Sequence, residues 1–521
     1  NCEALYAIPP PEGVPFGKEF TRDIVKQWPH AAENGEQNYA ALARDGISCT
    51  VCHRVSPDAL GEEASFTGNF VTGPDAELYG PYADDTIVTA PMNNSVGITP
   101  RFGEQLSSAD MCGTCHNILL PVFDNEGVQH GASYEQSTHL EWTNSVYGQQ
   151  GPQARTCNSC HMSTHYKGTK LHTKIANIED NNSAPTTERL PDKEITLTER
   201  SEFSRHQLHG LNVFLNQMFQ QFPLVLGIRQ VDGLTASNVT PPLITGMNSM
   251  VNMAREGTAE VDITAVDVLP GNKVRTRVKV VNKTGHYLPS GVAFRRVFLE
   301  LLIRDTAGNL VWASGRTNKL GAILDGVTDT VLDSEQPGAF PGSLPQPHYQ
   351  RISRGDQVQI YQEVYADSAG DITTSFLRRM TSLKDNRIKP LGYDPAVFTS
   401  SSSAFIRELA LLPGPESSDP YYSDPALTGA DTIEYEATLT PAQIADLGSV
   451  EVNLYNQSIP PSYLQERFAD ASAGPMEMDD IQRLYYLTSH LNTEAVNTEY
   501  GPKVIESWKL MLAGDRETIA Q

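Results

Sequence analysis

The chain has 521 residues, of which 39% are hydrophobic and 20% charged, with 39 Gly and 34 Pro. That is a globular composition, long enough for about two to four domains. A formal net charge of −24 argues against nucleic acid as a partner, because phosphate binding needs a basic surface, and suits a basic redox partner instead. No stretch reaches about 18 consecutive apolar residues, so no membrane-spanning helix is expected.

In chain order, residues 1–48 begin with a Pro-rich lead, Ile8-Pro9-Pro10-Pro11, and predict helices near Phe20–Trp28 and Tyr39–Arg44 with His30 between them. Cys49-Thr50-Val51-Cys52-His53 follows, and the same spacing returns at Cys112-Gly113-Thr114-Cys115-His116 and Cys157-Asn158-Ser159-Cys160-His161. Each reads as a c-type haem attachment site: two thiols add to the two vinyl groups of one haem, and the adjoining His ligates the iron. A zinc site or redox dithiol also uses Cys-x-x-Cys, but neither calls for a His directly after every pair. Six of the seven cysteines are thus absorbed. Cys2 remains, as a free thiol, an intermolecular bond or a lipid anchor. Haem is attached to such motifs outside the bacterial cytoplasm or in the mitochondrial intermembrane space, and three haems in one chain favour the bacterial or archaeal case; starting at Asn1, the chain is expected to be mature or trimmed.

Residues 54–110 are rich in Gly, Pro, Asp and Asn and predict irregular structure in which loops pack on porphyrin faces. A short helix is expected at Tyr134–Val146, carrying His139 and Trp142, and an amphipathic helix over 199–222, where Phe203, Leu208, Leu211, Phe214, Leu215, Met218 and Phe219 recur at helical spacing. On that helix His206 and His209 would share one face.

Near residue 240 the pattern changes to strand alternation. Val274, Thr276, Val278 and Val280 form one run and Val297, Leu299, Leu301 and Ile303 another. Leu310–Trp312, Val358–Val364, Tyr435–Leu439 and Glu451–Tyr455 complete the series. Strands at this density predict an antiparallel, immunoglobulin-like sandwich. Segments 325–350 and 411–432 read as surface loops, and helices are expected near Asp479–Leu491 and Pro502–Leu512. The fold class is therefore multidomain α+β: a loop-rich, haem-packed domain over 1–235 with few helices, then a β-rich domain over 236–521 with C-terminal helices.

The proximal ligands are His53, His116 and His161, and the sixth ligand of each iron decides function. A His or Met closes the iron and leaves electron transfer. An open position admits a substrate, which is the alternative reading, a redox enzyme acting on a small nitrogen or sulfur oxyanion. Histidines outnumber irons, so three bis-His haems are expected, with His206, His30 and His209 as the first distal candidates and His139, His172, His130 and His165 in reserve. His286, in Thr284-Gly285-His286-Tyr287-Leu288-Pro289, reads as a turn histidine bonded to backbone. Asp325, Asp329, Asp333 and Glu335 form an acidic run that could collect calcium, but it lacks the calcium-loop pattern, so a solvated loop is the favoured expectation.

The stretch Gly-Ile-Ser-Cys-Thr-Val-Cys-His at 46–53 resembles secreted bacterial multihaem c-type cytochromes. So does the run from Met111-Cys112 through Glu141-Trp142 to Cys160-His161-Met162. SRHQLHGLN at 204–212 resembles their Arg-His-x-x-x-Gly-x-Asn helix, whose first His is axial, which implies His206. NKTGHYLPSG at 282–291, KDNRIKP at 384–390 and LYNQSIPP at 454–461 are similar to the C-terminal part of some of these proteins. The resemblance implies an electron carrier that is secreted, extracellular or at the cell surface, with the periplasm as the alternative, and that serves redox proteins or extracellular acceptors. Some members of the wider class polymerise end to end into conductive filaments, in which one subunit can donate an axial His to the next.

Overall fold

The computed structural model describes residues 47–166, 168–176, 197–200, 203–226, 228, 240–336, 345–410, 420–424, 426–473, 478–493, 505–506 and 508–519. Cys2, His30 and the helices expected near Phe20–Trp28 and Tyr39–Arg44 lie outside them. The chain divides into two compact units, one of residues 1–118 and 156–206, the other of 119–155 and 207–521. This division differs from the expected boundary at 235/236. The stretch between the second and third motifs folds with the C-terminal part, and the motif-bearing unit ends at His206.

The motif-bearing unit is built of short pieces, as its Gly- and Pro-rich sequence implies. Helices Cys49–His53, Ala109–His116 and Cys157–His161 each carry one motif. Glu77–Gly80 and Thr99–Phe102 pair in parallel, and Thr173–Ala176 pairs with Leu197–Arg200 antiparallel. A small apolar cluster of Val51, Val55 and Phe70, with Leu60 and Met111 against it, anchors the first motif.

In the other unit two sheets face one another over a single core. The strands are β1 (Ala259–Leu269), β2 (Lys273–Asn282), β3 (Arg296–Asp305), β4 (Leu310–Ser314), β5 (Arg351–Ile352) and β6 (Ile360–Ala366). They continue with β7 (Ile372–Thr373), β8 (Thr381–Asp385), β9 (Ala430–Thr438), β10 (Leu447–Gln457), β11 (Ile505–Glu506) and β12 (Lys509–Thr518). One sheet runs β5-β9-β2-β1; the other runs β7-β6-β3-β10-β12-β11, with β4 on β3 and β8 on β6. Val274, Val278 and Val280 of β2 and Ile433 and Tyr435 of β9 meet Leu299, Leu301, Val450, Val452, Leu454, Leu510 and Leu512 in the core between them. The period-two alternation selects these residues, since every second side chain of a strand faces the same way. Central β3 is covered on its other face too, where Phe298 packs with Ile323, Leu332, Val358 and Ile360.

Several expectations are corrected. Within the sandwich unit the pairing is antiparallel as expected, with one short exception where β5 lies parallel to β9. The C-terminal helix appears as Met478–Ser489, but the described residues within Pro502–Leu512 are not helical: Ile505–Glu506 and Lys509–Thr518 are strands, and β12 runs antiparallel to β10. A short apolar run does not distinguish strand from helix, and the free edge of β10 decided it. Among the described residues of the helix expected over 199–222, only Val213–Gln221 is helical, capped by the Asn212 side chain, which accepts from the Leu215 amide. Leu208 takes a left-handed backbone with φ +49°, which no helix interior accommodates. Tyr134–Val146 is helical only over Thr138–Thr143. The supposed surface loops hold buried groups: Glu335, Tyr421, Tyr422 and Asp431.

Candidate haem-attachment sites

Each motif occupies one helical turn. Its cysteines, three residues apart, therefore share a face, with the His one residue beyond the second. The helix Ala109–His116 is started by the Ser108 side chain, which accepts from the Asp110 amide. Among the described residues none of the six motif cysteines is in a disulfide.

The first site has the most complete geometry. Nδ1 of His53 lies 2.5 Å from the carbonyl oxygen of Tyr79. A ligating His commonly gives one ring N–H to such a carbonyl, which fixes the tautomer and leaves Nε2 for the metal. The rings of His53 and His206 stand 6.2 Å apart, centre to centre, with planes inclined by 30°. Two imidazoles on opposite sides of one iron, each with a metal–nitrogen bond of about 2 Å and a ring centre about 1.1 Å beyond the nitrogen, stand about 6.2 Å apart. The residues thus fit a haem held by Cys49 and Cys52 with His53 and His206 as its axial pair. A hydrogen bond from the Arg205 amide to the Ser163 carbonyl, at 3.0 Å, secures the His206 stretch.

The second and third motifs adjoin one another. Asn158, inside the third motif, donates from Nδ2 to the Leu106 carbonyl at 2.7 Å, and its Oδ1 lies 3.6 Å from the Cys112 sulfur. The neighbouring Cys157 thiol pulls Cys112 below the ordinary thiol value, and Cys112 in turn pushes Cys157 above it. Gln105 reaches the Val55 carbonyl at 2.9 Å, tying the approach to the second motif to the exit from the first. His116 is exposed and His161 half-buried.

The remaining histidines scatter. His209 belongs to the sandwich unit, where its ring packs near Gly246 of the helix Pro242–Asn252. It shares no helical face with His206, which corrects that expectation. His139 is buried in the same unit against Trp142, ring centres 5.4 Å apart. Nε2 of His130 is 2.7 Å from Asp124, and this hydrogen bond holds the Asp124 carboxyl below its usual range. His172 and His165 are exposed in the motif-bearing unit. His286 bonds through Nδ1 to the Tyr287 carbonyl at 2.9 Å. The calcium site is withdrawn: the Glu335 carboxylate is buried against Arg296 at 2.5 Å. Among the described residues no three His, Cys, Asp or Glu side chains gather to hold a metal ion.

Sequence reasoning missed Tyr79 and Asn158. A backbone carbonyl acts regardless of residue type, and an Asn at a variable position of a motif carries no signal of its own.

No family model and no curated protein matches the chain. Among solved structures it is similar to a penta-haem cytochrome c552 from Thermochromatium tepidum, at 14% identity and a TM-score of 0.43, over 93% of this chain and 79% of that one. At that distance the likeness does not bear on the chemistry of the sites.

Proposed function

We propose that this chain is a multihaem c-type cytochrome that transfers electrons through three covalently attached haems. The observation that carries the reading is the first site, where a Cys-x-x-Cys-His turn, a carbonyl bond to its His and a second imidazole at 6.2 Å coincide. Bound there, haem supplies a one-electron redox centre. The protein's part is to hold it: Cys49, Cys52, Cys112, Cys115, Cys157 and Cys160 as thioether anchors, His53, His116 and His161 as proximal ligands, and His206 as the distal ligand of the first. His30 and His209 stay as candidates for the other two, with His139, His172 and His130 behind them. With both axial positions filled no substrate binds at the metal, so the role is electron carriage rather than turnover.

The sequence resemblance supports a secreted or surface location, redox proteins or extracellular acceptors as partners, and end-to-end self-association. Mass spectrometry of the denatured chain is expected to find three tetrapyrrole adducts, one on each motif peptide. Finding none would end the proposal. Images of the native material would resolve the assembly: haem-to-haem continuity between copies supports the filament, and dispersed monomers at high concentration refute it.

A further inference from the structure

Three sequence segments of the sandwich unit, 282–291, 384–390 and 454–461, lie outside the three attachment motifs. The first two converge on one buried carboxylate. Glu141 lies on the helix Thr138–Thr143, in the stretch joining the second and third motifs, and is 1% exposed. Its Oε2 accepts from the Tyr287 amide at 3.0 Å and the Ser290 hydroxyl at 2.7 Å; its Oε1 accepts from Ser137 Oγ at 3.0 Å and Arg387 Nη1 at 3.4 Å. Arg387 is buried in turn, paired with Asp385 at 2.8 Å and Glu363 at 3.7 Å, its guanidinium 4.6 Å from the centre of the Tyr287 ring. Asn282 Nδ2 donates to the His286 and Ile388 carbonyls, locking the two segments together.

Beside this carboxylate the backbone is cut away to admit the helix. A Cβ on Gly285 would lie 3.0 Å from Trp142 Cδ1, and one on Gly392 would lie 2.5 Å from Val146 Cγ1. Trp142 Nε1 donates to the Arg155 carbonyl at 2.8 Å, and the Arg155 amide donates to the Tyr147 carbonyl at 2.9 Å. Two residues after Arg155 the third motif begins at Cys157.

We propose that Glu141 is a positioning residue for the third haem site, holding the helix Thr138–Thr143 so that Trp142 fixes Arg155 and with it the entry to the Cys157–His161 turn. Within the sandwich unit, these two segments build the seat for residues 138–155, the stretch that runs on to the third motif. A buried carboxylate with four donors suits this task better than an apolar side chain, because each donor defines its orientation as well as its depth. The inference rests on the proposed haem attachment.

Two substitutions reach the same contact differently. Glu141→Gln places an amide against four donors. Gly285→Ala leaves the carboxylate intact and presses on Trp142. The holoprotein of each is first assayed for haems per denatured chain. A wild-type chain carrying none would refute the attachment proposal itself, whereas hydrogen exchange at the Val146 and Arg155 amides still reads the latch. With haem present, both variants are expected to quicken exchange at those amides. They are also expected to shift one midpoint potential and its electron-paramagnetic-resonance signal, leaving the first site unchanged. Repeating the measurement in a chain whose Cys49 and Cys52 are replaced by Ala must retain the shifted centre. A lowered melting temperature with all three potentials unmoved, or an equal shift of all three, would overturn the positioning role.

Discussion

Replacing His206 with Ala tests the axial pair directly. His206 is exposed and lies outside any helix, so its truncation is expected to change global stability by no more than about 0.5 kcal/mol. Its effect on the first site should be complete. His53 keeps its bond to the Tyr79 carbonyl and remains a ligand, while the imidazole 6.2 Å away is gone. With one haem on each of the three motifs, as proposed, one iron in three is expected to pass from low-spin to high-spin. Spin quantitation of the ferric protein by electron paramagnetic resonance measures that fraction against total haem. Because the position is open to solvent, added imidazole should restore the low-spin signal, whereas His206→Met should keep the iron low-spin and raise its midpoint potential. A variant that still carries three haems and shows no high-spin iron would refute the pairing and assign the sixth ligand to another residue.

Other consequences follow from buried groups of the sandwich. Arg296 holds Glu335 through both guanidinium nitrogens at 2.5 and 2.7 Å and donates to Gln457 at 2.7 Å. Arg296→Met strands a buried carboxylate and is expected to cost about 3–5 kcal/mol in urea denaturation while the haem spectra stay unchanged; a loss below about 1 kcal/mol would show the pair to be dispensable. Burial raises the Glu135 carboxyl above its ordinary value against the opposing pull of Arg379 and Arg295, with Glu363 adding to the rise. A raised folded value stabilises fully below the unfolded value of about 4.3 and is lost as pH climbs through the folded one, so wild-type stability should fall over that range. Glu135→Gln should flatten the decline, and parallel curves for the two proteins would contradict it. Gly315 has φ +82° and a Cβ there would lie 2.0 Å from the Leu299 carbonyl oxygen. Gly315→Ala is accordingly expected to destabilise by at least about 2 kcal/mol, measured by thermal melting, and an unchanged melting point would contradict the close approach.

What could be read in the sequence was what depends on local spacing. A Cys-x-x-Cys-His turn needs no tertiary context, and the β2 and β3 runs show their alternation because one face of each meets the core. The axial role proposed for His206 came from a short resemblance, but the helix assumed to carry it was not there. The apolar positions between Phe203 and Phe219 matched a helical period, yet the left-handed backbone at Leu208 interrupts it, and only the half after Asn212 folds as a helix. The Trp508–Leu512 run failed for the opposite reason: five residues cannot establish a period, and the edge of β10 imposed one.

The unit boundary was the least legible feature, because composition changes near residue 240 whereas the buried contacts cross the chain in another order. Glu141 shows why. In the sequence it is one acid among 63 Asp and Glu residues, near a Trp and a His. Its meaning appears only when Tyr287, Ser290 and Arg387, about 150 to 250 positions later, close around it. An acid that looked like solvated charge is a buried keystone, and the segment between two haem motifs belongs by its contacts to the sandwich. It follows that residues 119–155 cannot be understood apart from the C-terminal part. Removing it would withdraw every partner that Glu141 has except Ser137, and would leave Gly285 and Gly392 no longer seating Trp142 and Val146.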